Sequence, residues 1–303
     1  LQHLKLHIEI LSWQILEDIP SASGIVKFKD GYYVIGDDSP YLFHLGKNFD
    51  LVSKTPIFSS EKLEGTIIPK INKPDFEAME MISTTEILVF GSGSKSPERD
   101  VCVLIEIGDE ASYQEYDISL FYDHIREMDI MQGYELDIEA LARVGDLLYL
   151  FNRGRNIIFS FSLREFLAYC KTKSSFPIPK THLFSLPKIK GLQAGFSGAT
   201  SFQDQPYLIF TASVEDTPNA YDDGDILGSY LGIIKMKNGQ LDNDHVFQQI
   251  PNPESPLKVE SVIIDKVISD TETELVLVTD NDGAPSEILR LRMILDKDQH
   301  KYQ

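Results

Sequence analysis

The sequence predicts an all-β protein, a five-bladed β-propeller with four strands per blade and the last blade closed by the N-terminal strand. Three observations carry this: one phrase occurs five times, each occurrence is followed by about two further short apolar strands, and the last occurrence lacks one strand that the N-terminus can supply. The phrases are "ASGIVKFKDGYYVIGDDSP", "FEAMEMISTTEILVFGSGSK", "IEALARVGDLLYLFNRGRN", "FSGATSFQDQPYLIFTASVED" and "VESVIIDKVISDTETELVLVTDND". Each sets a small or acidic residue before a short apolar strand, a polar turn and a second apolar strand ending in a polar cluster. The anchor residues are Ser23, Glu77, Glu139, Ser197 and Glu260, separated by 54, 62, 58 and 63 residues. Self-similarity at such a spacing is the mark of a repeat architecture.

The further strands follow in order. The first unit has "YLFHL" and "FDLVSKTPIF", the second "VCVLIEI" and "SYQEYDIS", the third "NIIFSFS" and "THLFSL", and the fourth "YLGIIKM" and "HVFQQI". The fifth has only "EILRLRMIL", and "LKLHIEIL" (residues 4–11) is available to complete it. Radial repetition of four-stranded sheets is the propeller solution to exposed strand edges. The expected blades are 20–74, 75–134, 135–192, 193–256 and 257–293 plus 1–19, all in one domain. Five blades account for the strands better than six. Apolar spacing predicts helices over 120–131 and 163–170, decorating one face.

Bulk composition narrows the function. Of 303 residues, 42% are hydrophobic and 25% charged, and the net charge is −19, which disfavours nucleic acid and anionic membranes as partners. No apolar run approaches the ~20 residues needed to span a bilayer. Cys102 and Cys170 make neither a disulfide framework nor a zinc site and read as buried thiols. The chain starts at Leu1 rather than Met, so a signal peptide could have been removed without trace. An extracytoplasmic location is expected on a different ground, because calcium at extracellular levels would fill even a weak oxygen site.

In a propeller the first strand of each blade lines the central channel, so the anchors converge as three carboxylates and two serines. Three glutamates in a narrow channel repel unless protonated or bridged by a cation. Oxygen-only ligands select a hard ion, and a roomy ring of them suits Ca2+. The expected metal ligands are therefore Ser23, Glu77, Glu139, Ser197 and Glu260; a water-filled polar channel is the alternative. The second strands end at the same mouth, with Asp37 and Asp38, Ser94, Lys95 and Arg99, Arg153 and Arg155, Ser213, Glu215 and Asp216, and Asp280 with Asp282. Lys95, Arg99, Arg153, Arg155 and Ser213 are the expected contacts of a small anionic, phosphate-like ligand. For the aspartates, ordinary turn chemistry is an equal reading.

Weaker signals point elsewhere. "GFSGA" around Ser197 nearly matches a nucleophile elbow, but Ala199 stands where the last glycine belongs. "NAYDDGD" (219–225) is a second candidate cation loop without EF-hand spacing. The seven histidines are scattered and form no zinc motif.

The anchor series resembles that of the soluble apyrases, or calcium-activated nucleotidases, in which S…E…E…S…E occurs in the same order at similar spacing. The likeness extends to the phrase ending in the aspartate pair Asp37 and Asp38, to the glycine-rich turn before Lys95, and to Ser197, Ser213, Glu215 and Asp216 in the fourth unit. It covers about a third of the chain, the inner half of every blade. It implies a five-bladed propeller with axial calcium, hydrolysing nucleoside di- and triphosphates at the metal-bearing mouth. Asp37 or Asp38 would then position or deprotonate water, and Lys95, Arg153 and Arg155 would stabilise charge on the phosphoryl group. The chain departs from that pattern at three places. Ser39 and Pro40 replace an arginine and a glycine, Ala212 replaces a lysine, and Arg153 and Arg155 are split around Gly154. Each charge-assisted bond lost weakens phosphate binding by about 1.5–3 kcal/mol. A non-catalytic binding propeller with structural calcium, and a calcium-dependent esterase or lactonase-like hydrolase, are the alternatives.

Overall fold

The structure is a computed structural model that describes residues 4–59, 63, 66–108, 111–174, 176–202, 204–217, 224–281 and 284–297. Five four-stranded antiparallel sheets follow one another along the chain and form the five blades. Blade 1 runs Ala22–Phe28, Gly31–Gly36, Tyr41–Leu45 and Leu51–Pro56. Blade 2 runs Phe76–Met81, Glu86–Gly91, Val101–Glu106 and Ser112–Asp117, and blade 3 Ile138–Val144, Leu147–Asn152, Ile157–Ser162 and Lys180–Leu183. Blade 4 runs Gly195–Ser201, Tyr207–Asp216, Asp225–Lys237 and Gln240–Gln249. Blade 5 takes Val259–Val267, Glu272–Asn281 and Ala284–Lys297 from the end of the chain and its outer strand, Leu4–Pro20, from the beginning.

That closure is longer than residues 4–11. The N-terminal strand pairs with Ala284–Lys297 from Leu4 opposite Lys297 to Pro20 opposite Pro285, bending at two register shifts. It therefore covers the whole edge of blade 5, which would otherwise present unpaired backbone groups to water.

The core follows from sheet patterning. Inner and middle strands are buried on both faces because each blade is packed between two neighbours, so their sequences are near-continuous apolar runs such as "LLYLF" and "LVLV". Five apolar clusters result, one in each gap between neighbouring blades. Between blades 5 and 1, for example, Val276, Val278 and Ile288 meet Ile25, Tyr32 and Val34. Each fully buried large side chain contributes about 1.5–3 kcal/mol.

The two expected helices form, as α1 (Ser119–Arg126, followed by a 3-10 turn at Asp129–Met131) and α2 (Leu163–Thr172). Ser162 caps α2, its hydroxyl accepting from Glu165 N. Rather than decorating one face, both pack into the gap between blades 2 and 3. Phe121 and Phe166 lie with ring centroids 5.4 Å apart, and Phe90 reaches Phe166 at 5.1 Å. Their buried side chains fall on single helical stripes: Phe121, Tyr122 and Ile125 on α1, and Leu163, Phe166, Tyr169 and Cys170 on α2. Cys102 and Cys170 are both free and buried in this cluster. Among the described residues no helix is long and apolar enough to cross a membrane.

Candidate cation site at the propeller mouth

Each anchor sits on a β-bulge. The pairing of inner with second strand shifts register between Ala22 and Gly24, Phe76 and Ala78, Ile138 and Ala140, Phe196 and Gly198, and Val259 and Ser261. The extra residue in all five blades is the anchor itself. A bulge leaves one residue out of the ladder and re-aims its side chain. The residue after each bulge is Gly or Ala in four blades and Ser in the fifth, because the inner strands converge there. A Cβ on Gly198 would lie 2.8 Å from Ser261 Cα of the next blade.

Two further quasi-fivefold rings surround the anchors. Two residues before them stand Ser21, Asp75, Asp137, Gly195 and Lys258; one residue beyond the facing position on the second strand stand Asp37, Ser92, Arg153, Ser213 and Asp280. Backbone bonds join these rings. Asp37 N donates to Ser21 O (3.1 Å), Ser92 N to Asp75 O (2.8 Å), Arg153 N to Asp137 O (2.8 Å) and Asp280 N to Lys258 O (3.1 Å). Gly195 and Ser213 are ladder partners in blade 4.

Seven of these ten residues, all but Gly195, Ser92 and Ser213, line a cavity of about 100 Å³ that is bordered by eight carboxylates and five cationic side chains. Lys73 pairs with Asp37 and, at 2.8 Å, with Asp75. Arg99 pairs with Asp75 and donates to Ser94 Oγ at 2.6 Å. Arg153 bridges Glu139 (3.5 Å) and Glu215 (3.1 Å). Lys258 bridges Glu260 (3.5 Å) and Asp280 (3.3 Å). Burial opposes the charge of Lys73, Arg153 and Lys258, but the surrounding carboxylates outweigh it and all three stay protonated.

The glutamates are less well served. Burial, reinforced by Asp75, Glu139, Asp37 and Glu260, pushes Glu77 well above the usual carboxylate range. Burial and then Asp137 push Glu139 up to about 8, and Asp137 itself reaches about 7, chiefly through burial. Glu260 is raised chiefly by burial despite Lys258, and its Oε2 is buried with no hydrogen-bond partner. Asp75 goes the other way: Lys73 and Arg99 hold it below its ordinary value against the effect of burial. Carboxylate oxygens of Asp37, Asp75 and Glu77 lie within 4.8 Å of one another.

The remaining expected residues divide. Ser23 Oγ donates to the Phe76 carbonyl, and Ser197 Oγ donates to Thr211 Oγ1 at 3.2 Å, away from the cavity lining. Asp38 is raised to about 6 by burial and then by Asp37, and its Oδ1 has no partner. Lys95 stands off the cavity, 3.4 Å from the Ile71 carbonyl. Arg99 is only 2% exposed and closes on Asp75, as a buried structural cation does. Arg155 donates to the Ile130 carbonyl and lies 5.6 Å from the Tyr134 ring centroid. Asp282 and residues 219–223 of the candidate second cation loop lie outside the described residues.

Lys73, Asp75, Asp137 and Lys258 are not among the residues expected from the sequence. Three of them were signalled by the repeat: a charged residue stands two positions before Glu77, Glu139 and Glu260, just ahead of the inner strand, in D-x-E, D-x-E and K-x-E. Lys73 had no such signal, since it lies in the loop ahead of the inner strand.

Beside the mouth, between blades 3 and 4, opens a larger cleft of about 800 Å³. It shares Asp137, Arg153, Glu215 and Thr217 with the axial site, and its outer part holds Tyr134, Arg155, Leu183 and Gln193. Gly195 has a steric reason to be glycine, for a Cβ there would overlap Arg153 Cγ.

No curated protein matches this chain. Among solved structures, the Myxococcus xanthus glutaminyl cyclase superposes with a TM-score of 0.50 at 8% identity, over 95% of this chain and 97% of that one. A tail fiber of Staphylococcus aureus phage P68 (TM-score 0.45, 12% identity, 95% and 52% of the two chains) and the GH43 protein BlXynB from Bacillus licheniformis (0.44, 11%, 94% and 54%) are also similar. At these identities the likeness concerns the fold alone. The family model for a family of unknown function, DUF6929, matches residues 18–293, and the chain belongs to that family.

Proposed function

We propose that the protein is a calcium-binding propeller whose axial ion, held at the mouth by Glu77, Glu139 and Glu260, organises a site for a small anionic ligand. The observation that carries this reading is the unsatisfied Glu260 Oε2, buried in a cavity with two other glutamates whose ionised forms burial and mutual repulsion disfavour. Eight carboxylates against five cations leave the cavity short of positive charge. An oxygen-only donor set and room for an ion with some of its water suit calcium. The serine anchors, engaged with Phe76 and Thr211, contribute less than the glutamates.

A second reading, a calcium-dependent phosphohydrolase or other ester hydrolase, is favoured by Asp38. Burial and then Asp37, which lines the cavity, raise the neighbouring Asp38 carboxyl to about 6, in the range of a general base near neutral pH. When bound, calcium supplies a Lewis acid for a phosphoryl or carbonyl oxygen. Arg153 would donate to the ligand's oxygens at the expense of its contacts to Glu139 and Glu215, and Asp38 would hold the proton.

Thermal unfolding and hydrolysis of nucleotides, phytate and aryl esters, each in calcium and in chelator, test both readings. Stabilisation by calcium with product release supports the hydrolase. Stabilisation without turnover leaves a binding propeller. No response to calcium overturns the axial ion.

A further inference from the structure

We infer that the cleft between blades 3 and 4 is a binding site for a neutral, polyhydroxylated ligand, an oligosaccharide, with Tyr134 as its stacking platform. This goes beyond the axial cation and does not rest on it. At about 800 Å³ the cleft falls in the size range of small-molecule sites, roughly 300–1,000 Å³. Its chemistry argues against a compact anion. Both guanidiniums are engaged, Arg153 by Glu139 and Glu215, and Arg155 by the Ile130 carbonyl and the Tyr134 ring. Glu135, Asp137 and Glu215 add three carboxylates to the same wall. A phosphate would meet more negative than positive charge there and would have to break existing ion pairs to reach a donor.

A sugar meets the same wall differently. Each hydroxyl both donates and accepts, so carboxylates and guanidiniums serve it without being separated from one another. The Ser213 hydroxyl, only 1% exposed and without a partner, lines the cleft and marks a polar position that a ligand hydroxyl would satisfy. Tyr134 is 55% exposed; Arg155 lies over its ring at 5.6 Å from the centroid, and the ring surface left open is flat and apolar, suited to the C–H face of a pyranose. Gln193 adds an amide donor and acceptor at the outer edge.

The test uses the full chain on an array of neutral oligosaccharides built from glucose, galactose, mannose and xylose. The retained glycan is then titrated calorimetrically in calcium and in EDTA. The expected result is retention of at least one glycan in both buffers, with affinity reduced about tenfold in Tyr134→Ala and nearly unchanged in Tyr134→Phe. The melting temperature of both variants should match wild type, because the ring is on the surface. Ser213→Ala should weaken binding without altering calcium stabilisation. Retention of no glycan by wild type overturns the inference, as does binding that survives Tyr134→Ala. Binding lost in EDTA also overturns it, since the ligand would then belong to the ion. Calcium stabilisation of the glycan-free protein is read separately, so failure here is distinct from failure of the cation site.

Discussion

Arg153 occupies the space that a side chain at position 195 would need. Its Nε lies 3.1 Å from where a Cβ on Gly195 would be, and the missing side chain lets the guanidinium pass between Glu139 and Glu215. One blade thus gives up a ring position so that the cation of the preceding blade can neutralise two carboxylates. Gly195→Ala should force Arg153 aside and destabilise the protein by about 1–3 kcal/mol. Chemical denaturation of the variant measures this directly; an unchanged midpoint would mean that Arg153 has another place to go.

Glu260→Gln should separate the two consequences of the buried glutamates. In chelator the neutral amide relieves repulsion, so the variant should be at least as stable as wild type. In calcium at about 100 times its dissociation constant, wild type should gain about 2.7 kcal/mol and the variant far less. Melting curves in the two buffers should therefore cross in rank.

Stability should also depend on pH in a defined direction. Glu139, raised from 4.5 to about 8, and Asp137, raised from 3.8 to about 7, bind protons more tightly in the folded state than in the unfolded chain. Their protonation stabilises the fold below pH 4, and that contribution is lost as pH rises toward 8. In chelator the unfolding free energy should fall between pH 5 and 8, and calcium should flatten the slope. Glu80, raised by burial to about 8 and lining a separate pocket with Phe202 and Ile263, adds a part that calcium leaves untouched and Glu80→Gln removes.

Arg99 and Lys95, four residues apart and alike in charge, should behave differently. Arg99→Ala leaves Asp75 buried beside only one cation and should cost about 3–5 kcal/mol. Lys95→Ala should fall within about 0.5 kcal/mol of wild type. Equal effects on stability, with a shared loss of ligand binding, would instead place both at a ligand.

Deleting residues 1–19 should expose the edge of Ala284–Lys297 along its length, with loss of cooperative unfolding and a tendency to self-associate. Sedimentation and calorimetry of the truncated chain check this.

The repeat made the fold legible. Strand number, blade number and terminal closure follow from five copies of a local pattern, and local patterns are what sequence encodes most directly. The anchors were legible for the same reason: position in the repeat is position in the ring. The cations were not, because Lys95, Arg99, Arg153 and Arg155 look equivalent along the chain, while one stands off the cavity, one is buried in it, one bridges two blades and one stacks on Tyr134. Lys73 escaped notice because it reaches Asp37 and Asp75 from a loop rather than from a repeated strand position.

The sequence by itself determined the five-bladed propeller, its closure by the N-terminus and the three glutamates at repeated positions, since periodic apolar strands leave few other ways to bury themselves. Only the tertiary structure decided which charges neutralise one another and which remain unsatisfied at the mouth. Arg153 reaches from blade 3 to Glu215 of blade 4 and Lys73 from the loop before blade 2 back to Asp37 of blade 1, while Arg99–Asp75 and Lys258–Asp280 close within one blade. At such short distances electrostatic energy depends on burial and geometry, which the order of charges along the chain does not give.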